Sequence, residues 1–189
     1  MDLIQRCQAG DEAAFADLFE QYKNLVYKTA YLMLGNTEEA EDALQDVFLR
    51  VYQSLTTFQP AKAAFTTWLY RLTVNHCLNR RRERRLVTLP LTEIASLTDS
   101  TPASSERLAN EQMIQQALKR LSDKQRAVII LRYYWELPYI EISQILEIPL
   151  GTVRSRLSTA MKALQQDLST YKKGTSPSLP LTLKQGGIE

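Results

Sequence analysis

The acidic side chains Glu38, Asp42 and Asp46 recur every fourth residue, a spacing that lines them along one helix face and raises the question of a metal-dependent reaction. A single helix face holds carboxylates too far apart to converge on one ion, and no second acidic or histidine cluster is available to complete a coordination shell. His76 is the single histidine, and with Cys7 and Cys77 it gives no familiar zinc spacing, so both thiols read as buried or inert. A metal-dependent nucleic-acid enzyme, testable by activity with and without chelator, is therefore the weaker reading. No catalytic residue, metal ligand or cofactor is assigned.

Two other groups of side chains suit binding rather than bond breaking. Residues 80–85 hold five arginines against one acid, and Asn75, Asn79 and the aromatics Phe58, Phe65 and Tyr70 precede them. Arginine and asparagine beside accessible rings hold phosphates and unstacked bases. A helix end that merely complements its own dipole explains one or two such arginines but not five. The second group lies within residues 137–164. With Val153 at the centre of a buried side, 3.6 residues per turn puts Gly151, Thr152, Ser155, Ser158, Thr159 and Lys162 opposite, with Arg154 and Arg156 on the flanks. That face carries no carboxylate, and short polar side chains let a helix approach base edges in the major groove. Ser155, early and central, is placed to read bases and Lys162, one to two turns later, to meet phosphate, while Arg154 and Arg156 fit either role, Arg154 leaning to bases and Arg156 to phosphate.

These residues need helices to position them. In 137–164, Ile142, Ile145 and Leu146 stripe a first helix, and Val153, Leu157, Ala160, Met161 and Leu164 stripe a second. Pro149 and Gly151 break the pattern between them, which predicts a helix-turn-helix. Upstream, Asp11 caps a helix carrying Phe15, Leu18, Phe19, Tyr22 and Val26. Gly35 and Asn36 end that helix and begin the next, about residues 37–56, which buries Ala40, Leu44, Val47, Phe48, Val51 and Leu55. Opposite that stripe lie Asp42, Asp46, Leu49 and Gln53, edged by Gln45 and Arg50, so a large aliphatic side chain sits among polar neighbours on the outside. A third helix, about residues 66–85, follows the loop at 58–65, and its apolar stripe fades after Leu72. Further on, Met113, Leu118 and Leu121 stripe another helix, and a capping box at Ser122 and Gln125 opens the run from Val128 to Leu131. Tyr133, Tyr134 and Trp135 are expected to pack that run against the helix-turn-helix.

The 189 residues, 44% of them hydrophobic, suffice for two small domains. Net charge is only +2 but uneven: residues 1–79 hold ten acids against six bases, and residues 110–173 ten bases against six acids. The stretch at 86–109, rich in Leu, Thr, Ser and Pro, reads as a flexible linker allowing the halves independent motion, and residues 169–189 as a mobile tail. The fold class is all-α, with domains at 1–85 and 110–168. No leader pattern and no long apolar run stand in the sequence, so a soluble, cytoplasmic protein is expected.

Three stretches in this order resemble the bacterial sigma-70 family, and within it the small two-domain extracytoplasmic-function group. They are Ala40-Glu-Asp-Ala-Leu-Gln-Asp-Val-Phe-Leu-Arg-Val-Tyr52, Phe65-Thr-Thr-Trp-Leu-Tyr-Arg-Leu-Thr-Val-Asn75, and Leu121-Ser-Asp-Lys-Gln-Arg126 with Ile148-Pro-Leu-Gly-Thr-Val-Arg-Ser-Arg-Leu157. The resemblance implies a promoter-specificity subunit of RNA polymerase whose first domain is similar to region 2 and whose second is similar to region 4. It implies that Asp42, Gln45, Asp46, Leu49, Arg50 and Gln53 dock on the clamp helices of the largest polymerase subunit. It also implies that Phe58, Gln59, Lys62, Phe65, Tyr70, Asn75, Asn79, Arg80 and Arg81 capture the single-stranded minus-10 element. The helix bearing Thr152, Arg154, Ser155, Arg156, Ser158, Thr159 and Lys162 would enter the double-stranded minus-35 element. Implied partners are core polymerase, including its flap region, promoter DNA and an anti-sigma factor. Pro138 stands where the family often caps a helix with Ser or Thr, and Ser158 and Thr159 where it often has an aromatic or basic residue. A helix-turn-helix regulator that binds DNA without polymerase is the competing reading, against which the Leu49 row argues.

Overall fold

The computed structural model describes residues 2–87 and 105–172, with side chains described over 2–86 and 112–165. Most of the expected linker and tail, at 88–104 and from 173 onward, lies outside the described residues. Within them the secondary structure is entirely helical: α1 (Leu3–Gln8), α2 (Glu12–Leu34), α3 (Thr37–Ser54), a 3₁₀ turn (Leu55–Thr57), α4 (Phe65–Val87), α5 (Ser105–Lys119), α6 (Asp123–Ile129), a π-helical turn (Ile130–Tyr134), α7 (Tyr139–Leu146) and α8 (Leu150–Lys172).

Local chemistry sets the helix ends. Asp11 accepts the Ala14 N–H at 3.0 Å and binds Arg6 at 2.7 Å, joining α1 to the start of α2. The Ala14 N–H and the Arg6 guanidinium together hold the Asp11 carboxyl below the usual range. Gly35, at φ 77°, ends α2 by donating its N–H to the Tyr31 carbonyl at 2.8 Å. A Cβ there would sit 3.3 Å from Gln115 Oε1, so this glycine is needed both for its backbone and for the approach of α5. Asn36 then accepts the Glu39 N–H at 3.2 Å and starts α3. Helix α1 has no counterpart in the periodicity reading. It is six residues long and buries only Ile4, and Gln8 Nε2 ties it down by donating to the Leu55 and Phe58 carbonyls, each at 2.9 Å.

The first domain packs α2, α3 and α4 around Leu18, Val26, Val47, Phe48, Val51, Leu55 and Leu69. Phe15 and Phe19 meet Phe48 edge-on at 6.4 and 4.7 Å between centroids, so they are half-buried at the rim rather than central. In the second domain α6, α7 and α8 enclose Val128, Leu131, Ile142, Ile145, Val153, Leu157 and Ala160.

The two domains are not separate bodies in this structure. Ala30, Met33 and Leu34 of α2 and Tyr70, Val74 and Cys77 of α4 belong to the same buried cluster as the second-domain core. The halves expected to move independently are packed together in this structure, which explains why the α4 stripe fades after Leu72. From Thr73 onward α4 turns its buried side toward the other domain. Trp135 is placed accordingly. It packs 5.6 Å from the Tyr70 ring and donates its indole N–H to Thr29 Oγ1 at 3.0 Å, whereas Tyr133 and Tyr134 remain 46% exposed and do not pack against the helix-turn-helix as expected.

The buried charge of this contact is Arg126, 1% exposed. Its guanidinium donates to the Met33 carbonyl at 2.7 Å and the Leu118 carbonyl at 2.8 Å, and burial pushes its pKa down to about 10. The Met33 carbonyl lies in the last turn of α2, where no intrahelical donor reaches it, so Arg126 acts as a cap supplied from the other domain. Arg126→Ala leaves the Met33 carbonyl with only the longer bond from Arg81 and the Leu118 carbonyl with only the Leu121 N–H, empties a buried site, and should lower stability by about 2 to 3 kcal/mol. Urea unfolding checks this, and an unchanged midpoint with unchanged slope would contradict it.

Candidate core-docking and nucleic-acid interfaces

Helix α3 turns its outer face to solvent as one row. Asp42, Gln45, Asp46, Leu49, Arg50 and Gln53 are all exposed, with Leu49 at 57%. Tyr52, 61% exposed and three residues beyond Leu49, joins the row and was not assigned from sequence, although the spacing of three was visible. Its ring rests edge-on against Phe15 at 5.1 Å, which holds it at the helix surface.

The candidate minus-10 residues divide. Phe58, Phe65 and Tyr70 are buried at 8%, 9% and 6%, which corrects the expectation of accessible rings. Phe58, Phe65 and Trp68 contact one another with centroids 5.2 to 5.6 Å apart and close the bottom of the first-domain core. Large aromatics flanking a loop gain more by burial than by waiting in water for a base, and sequence spacing alone does not distinguish the two. Tyr70 is covered by Trp135, and its burial raises the pKa of its hydroxyl. By contrast, Gln59, Lys62, Asn75 and Asn79 are exposed.

The arginines of α4 meet acids on both sides. Arg80 lies 3.4 Å from Asp42, Arg84 2.5 Å from Glu39, and Arg81 2.5 Å from Asp123, which also takes Arg85. Arg81 Nη1 donates to the Met33 carbonyl as well, at 3.3 Å. The docking row of α3 and the basic strip of α4 thus share an edge, since Asp42 belongs to one and Arg80 to the other. Lower on α4, Arg71 ties the second domain by donating to the Gln144 carbonyl at 2.7 Å and pairing with Glu147 at 2.9 Å. Asp123, Arg71 and Glu147 carried no signal of this role beyond their charge, because the packing of one domain on the other is not periodic in sequence.

In the helix-turn-helix, α7 ends at Glu147 in the left-handed conformation, φ 52°. The turn is fixed by Ser143 Oγ donating to the Ile148 carbonyl at 2.6 Å. The change of direction therefore falls at Glu147, whereas Gly151, expected to help make it, lies inside the first turn of α8, where an added Cβ would meet nothing within 4 Å. Pro149 accepts the Thr152 N–H at 2.8 Å and opens α8. Arg154, Ser155, Ser158, Thr159 and Lys162 are exposed and Thr152 and Arg156 half-buried, while Val153, Leu157 and Ala160 face the core, as the helical wheel requires. Ser155 and Thr159 hydroxyls donate back to the Thr152 and Ser155 carbonyls at 3.1 and 2.9 Å, leaving their oxygen lone pairs outward as acceptors. Pro138 occupies the cap position of α7 with no side-chain cap, and α7 forms nonetheless.

Among the described residues no group of three His, Cys, Asp or Glu side chains converges as a metal site, and no helix is long and apolar enough to cross a membrane. Cys77 is fully buried, its thiol pushed up to about 12 by burial.

His76 lies beneath the docking row. It is 5% exposed, with Nε2 3.6 Å from Asp46 and without a hydrogen-bond partner. Burial lowers its pKa, opposed by Asp46 and Glu83 and reinforced by Arg50 and Arg80. Above the ordinary histidine value His76 is neutral folded or unfolded. Below about pH 6.5 the unfolded chain binds the proton that the folded chain resists, so stability falls with pH in that range. His76→Gln should flatten the stability profile between about pH 7 and 5, measured by urea unfolding across that range. An unchanged acid limb would show that His76 is not the responsible group.

Comparison with known proteins agrees with this geometry. The chain matches the family described as Sigma-70 region 2 over residues 18–87 and the family described as Sigma-70, region 4 over residues 111–164. It is 37% identical over 179 residues to the ECF RNA polymerase sigma factor SigW of Bacillus subtilis, covering 87% of this chain and 94% of that one. Against SigM of Mycobacterium tuberculosis it is 31% identical, covering 93% and 87%. Its fold is similar to CnrH, solved in complex with the cytosolic domain of CnrY, with TM-score 0.68, 21% identity and 89% and 96% of the two chains covered. It is similar likewise to RpoE of Bartonella quintana, solved with the anti-sigma factor NepR, with TM-score 0.67, 24% identity and 82% and 96% covered. With both regions matched in order and a relative of this identity aligned along most of its length, the chain belongs to the extracytoplasmic-function group of the sigma-70 family of RNA polymerase sigma factors.

Proposed function

We propose that the chain is a dissociable promoter-specificity subunit with no catalytic chemistry of its own. The α3 row docks on the clamp helices of the largest polymerase subunit. The exposed Gln59, Lys62, Asn75 and Asn79, with the α4 arginines once released, hold the single-stranded minus-10 element. Helix α8 enters the minus-35 major groove, and the second domain meets the polymerase flap. The observation that carries this reading is the coexistence of two unpartnered surfaces of different chemistry on two domains. One is a mixed apolar and acidic row around Leu49, suited to protein, and the other is a carboxylate-free polar face on α8, suited to DNA. CnrH was solved with the cytosolic domain of CnrY and RpoE with the anti-sigma factor NepR, which supports an anti-sigma partner for this chain as well.

A regulator that binds DNA alone would need no exposed leucine on α3. Leu49→Asp should therefore reduce affinity for core polymerase at least about tenfold while circular dichroism stays unchanged, because the side chain lies outside the core. Unchanged affinity would remove the docking assignment. On α8 the two ends of the polar face should differ in kind. A Ser155→Ala holoenzyme should shift the preferred minus-35 sequence, with about 1 to 3 kcal/mol of discrimination at stake. Lys162→Ala should weaken all promoters alike and reduce the salt slope by about one unit. A randomised minus-35 library read by transcription decides between them, and a Lys162 variant that shifts the profile while Ser155 does not would reverse the orientation of α8 in the groove.

A further inference from the structure

Asp123 is the first residue of α6, and its carboxylate points across the domain boundary into the basic strip of α4. Its side chain is 13% exposed. Arg81 Nε donates to one oxygen at 2.5 Å and Arg85 to the other. Two guanidinium groups converging on two anionic oxygens is the arrangement that arginines also make with phosphate. Asp123 therefore occupies a pair of cations whose geometry suits a nucleic-acid backbone. Beside the pair lies a cleft of about 350 Å³ lined by Asn79, Arg82, Arg85 and Lys124, which leaves room for a sugar-phosphate at its edge.

We infer that Asp123 is a built-in competitor for DNA phosphate: in the free chain the region 4 domain holds Arg81 and Arg85 against a carboxylate of its own, and a strand backbone must displace it. The inference rests on the reading of α4 as a single-strand surface, and it adds what occupies that surface beforehand. The contact is shielded on the far side by Arg126, which donates to the same Met33 carbonyl as Arg81. With Asp123 neutral, Arg81, Arg85 and Arg126 would face one another with no counter-ion, so the change that frees the arginines also loosens the domain contact. Asp123 makes none of the capping hydrogen bonds of α6, which Ser122 and Gln125 form, the Ser122 N–H donating to Gln125 Oε1 at 3.0 Å, so a neutral side chain there removes only a favourable charge at the helix start.

The test uses the full chain without polymerase and a fluorescein-labelled oligothymidylate of about 20 nucleotides, which carries phosphates but no promoter sequence. Asp123→Asn should bind it about fivefold more tightly than the unaltered chain, with a salt slope steeper by about one unit. Asp17→Asn, which neutralises an exposed acid on α2, should change affinity by less than about twofold and controls for net charge. Adding Arg81→Ala and Arg85→Ala to Asp123→Asn should abolish the gain. Asp123→Ser, which keeps a small polar side chain at the first position of α6, should give the same gain and serves where Asp123→Asn folds poorly. Asp123→Asn and Asp123→Ser binding no better than Asp17→Asn overturns the inference, as does a gain that survives loss of both arginines. Promoter-directed transcription by the unaltered holoenzyme is scored separately. Its failure would remove the sigma reading and leave the oligonucleotide result to judge the competition.

Discussion

The carbonyl of Met33 is the polar group around which the two domains must agree. Helix α2 ends at Gly35, so this carbonyl has no donor from its own helix, and it lies too deep for water to reach easily. An unpaired carbonyl there would cost about 1 to 3 kcal/mol, and a buried guanidinium without acceptors would cost more. Each problem answers the other: Arg126 reaches the Met33 carbonyl from α6 of the second domain, while Arg81 reaches it from α4 of the first. The apolar groups around them, Ala30, Leu34, Val74 and Cys77 from one side and Leu118, Ala127 and Leu131 from the other, exclude water from the pair. Once Arg126 is fixed, α6 is fixed. Asp123 at its first turn is then aimed at Arg81 and Arg85, and Trp135 beyond it is aimed at Thr29 and Tyr70.

This packing sorts the functional surfaces into those that are open and those that are covered. The Leu49 row on α3 and the polar face of α8 point away from the shared core and stay accessible. Tyr70, Arg81 and much of the upper part of α4 face the partner domain and are engaged. On the proposed reading, this arrangement leaves the α3 row open to core polymerase, while the α4 residues proposed to hold the strand are freed when the second domain moves off. The ion pairs of that contact have alternative partners, phosphate for the arginines and water for the acid.

How far the sequence led depended on whether a feature was periodic. The α3 stripe, the caps at Asp11, Asn36 and Ser122, and both helices of the helix-turn-helix follow from spacing and cap chemistry, and the structure places them accordingly. The exposure of Leu49 was legible for the same reason, because the wheel that buries Val47 and Val51 must turn position 49 outward. Phe58 and Phe65 failed because they stand at the ends of a loop, where no periodicity says which side of the chain is inside. The turn at Glu147 failed because a glutamate in the left-handed region is held there by Ser143 and by the chain's path, while the nearby Gly151, which could have adopted it, is helical. The domain contact was illegible in principle. Thr73, Val74 and Cys77 look like a weakening stripe until the second domain is brought against them.

If the second domain covers the α4 strip in the free chain as it does in this structure, the two domains must separate on polymerase, and the distance between them tests this most directly. Spin labels at the exposed positions Asn24 on α2 and Gln165 on α8, in a Cys7→Ser, Cys77→Ala background that retains transcription activity, report that distance by double electron–electron resonance. The account predicts one short, narrow distance for the free chain and a longer one when core polymerase and promoter DNA are added. The same short distance in a polymerase complex that is competent for transcription would contradict it.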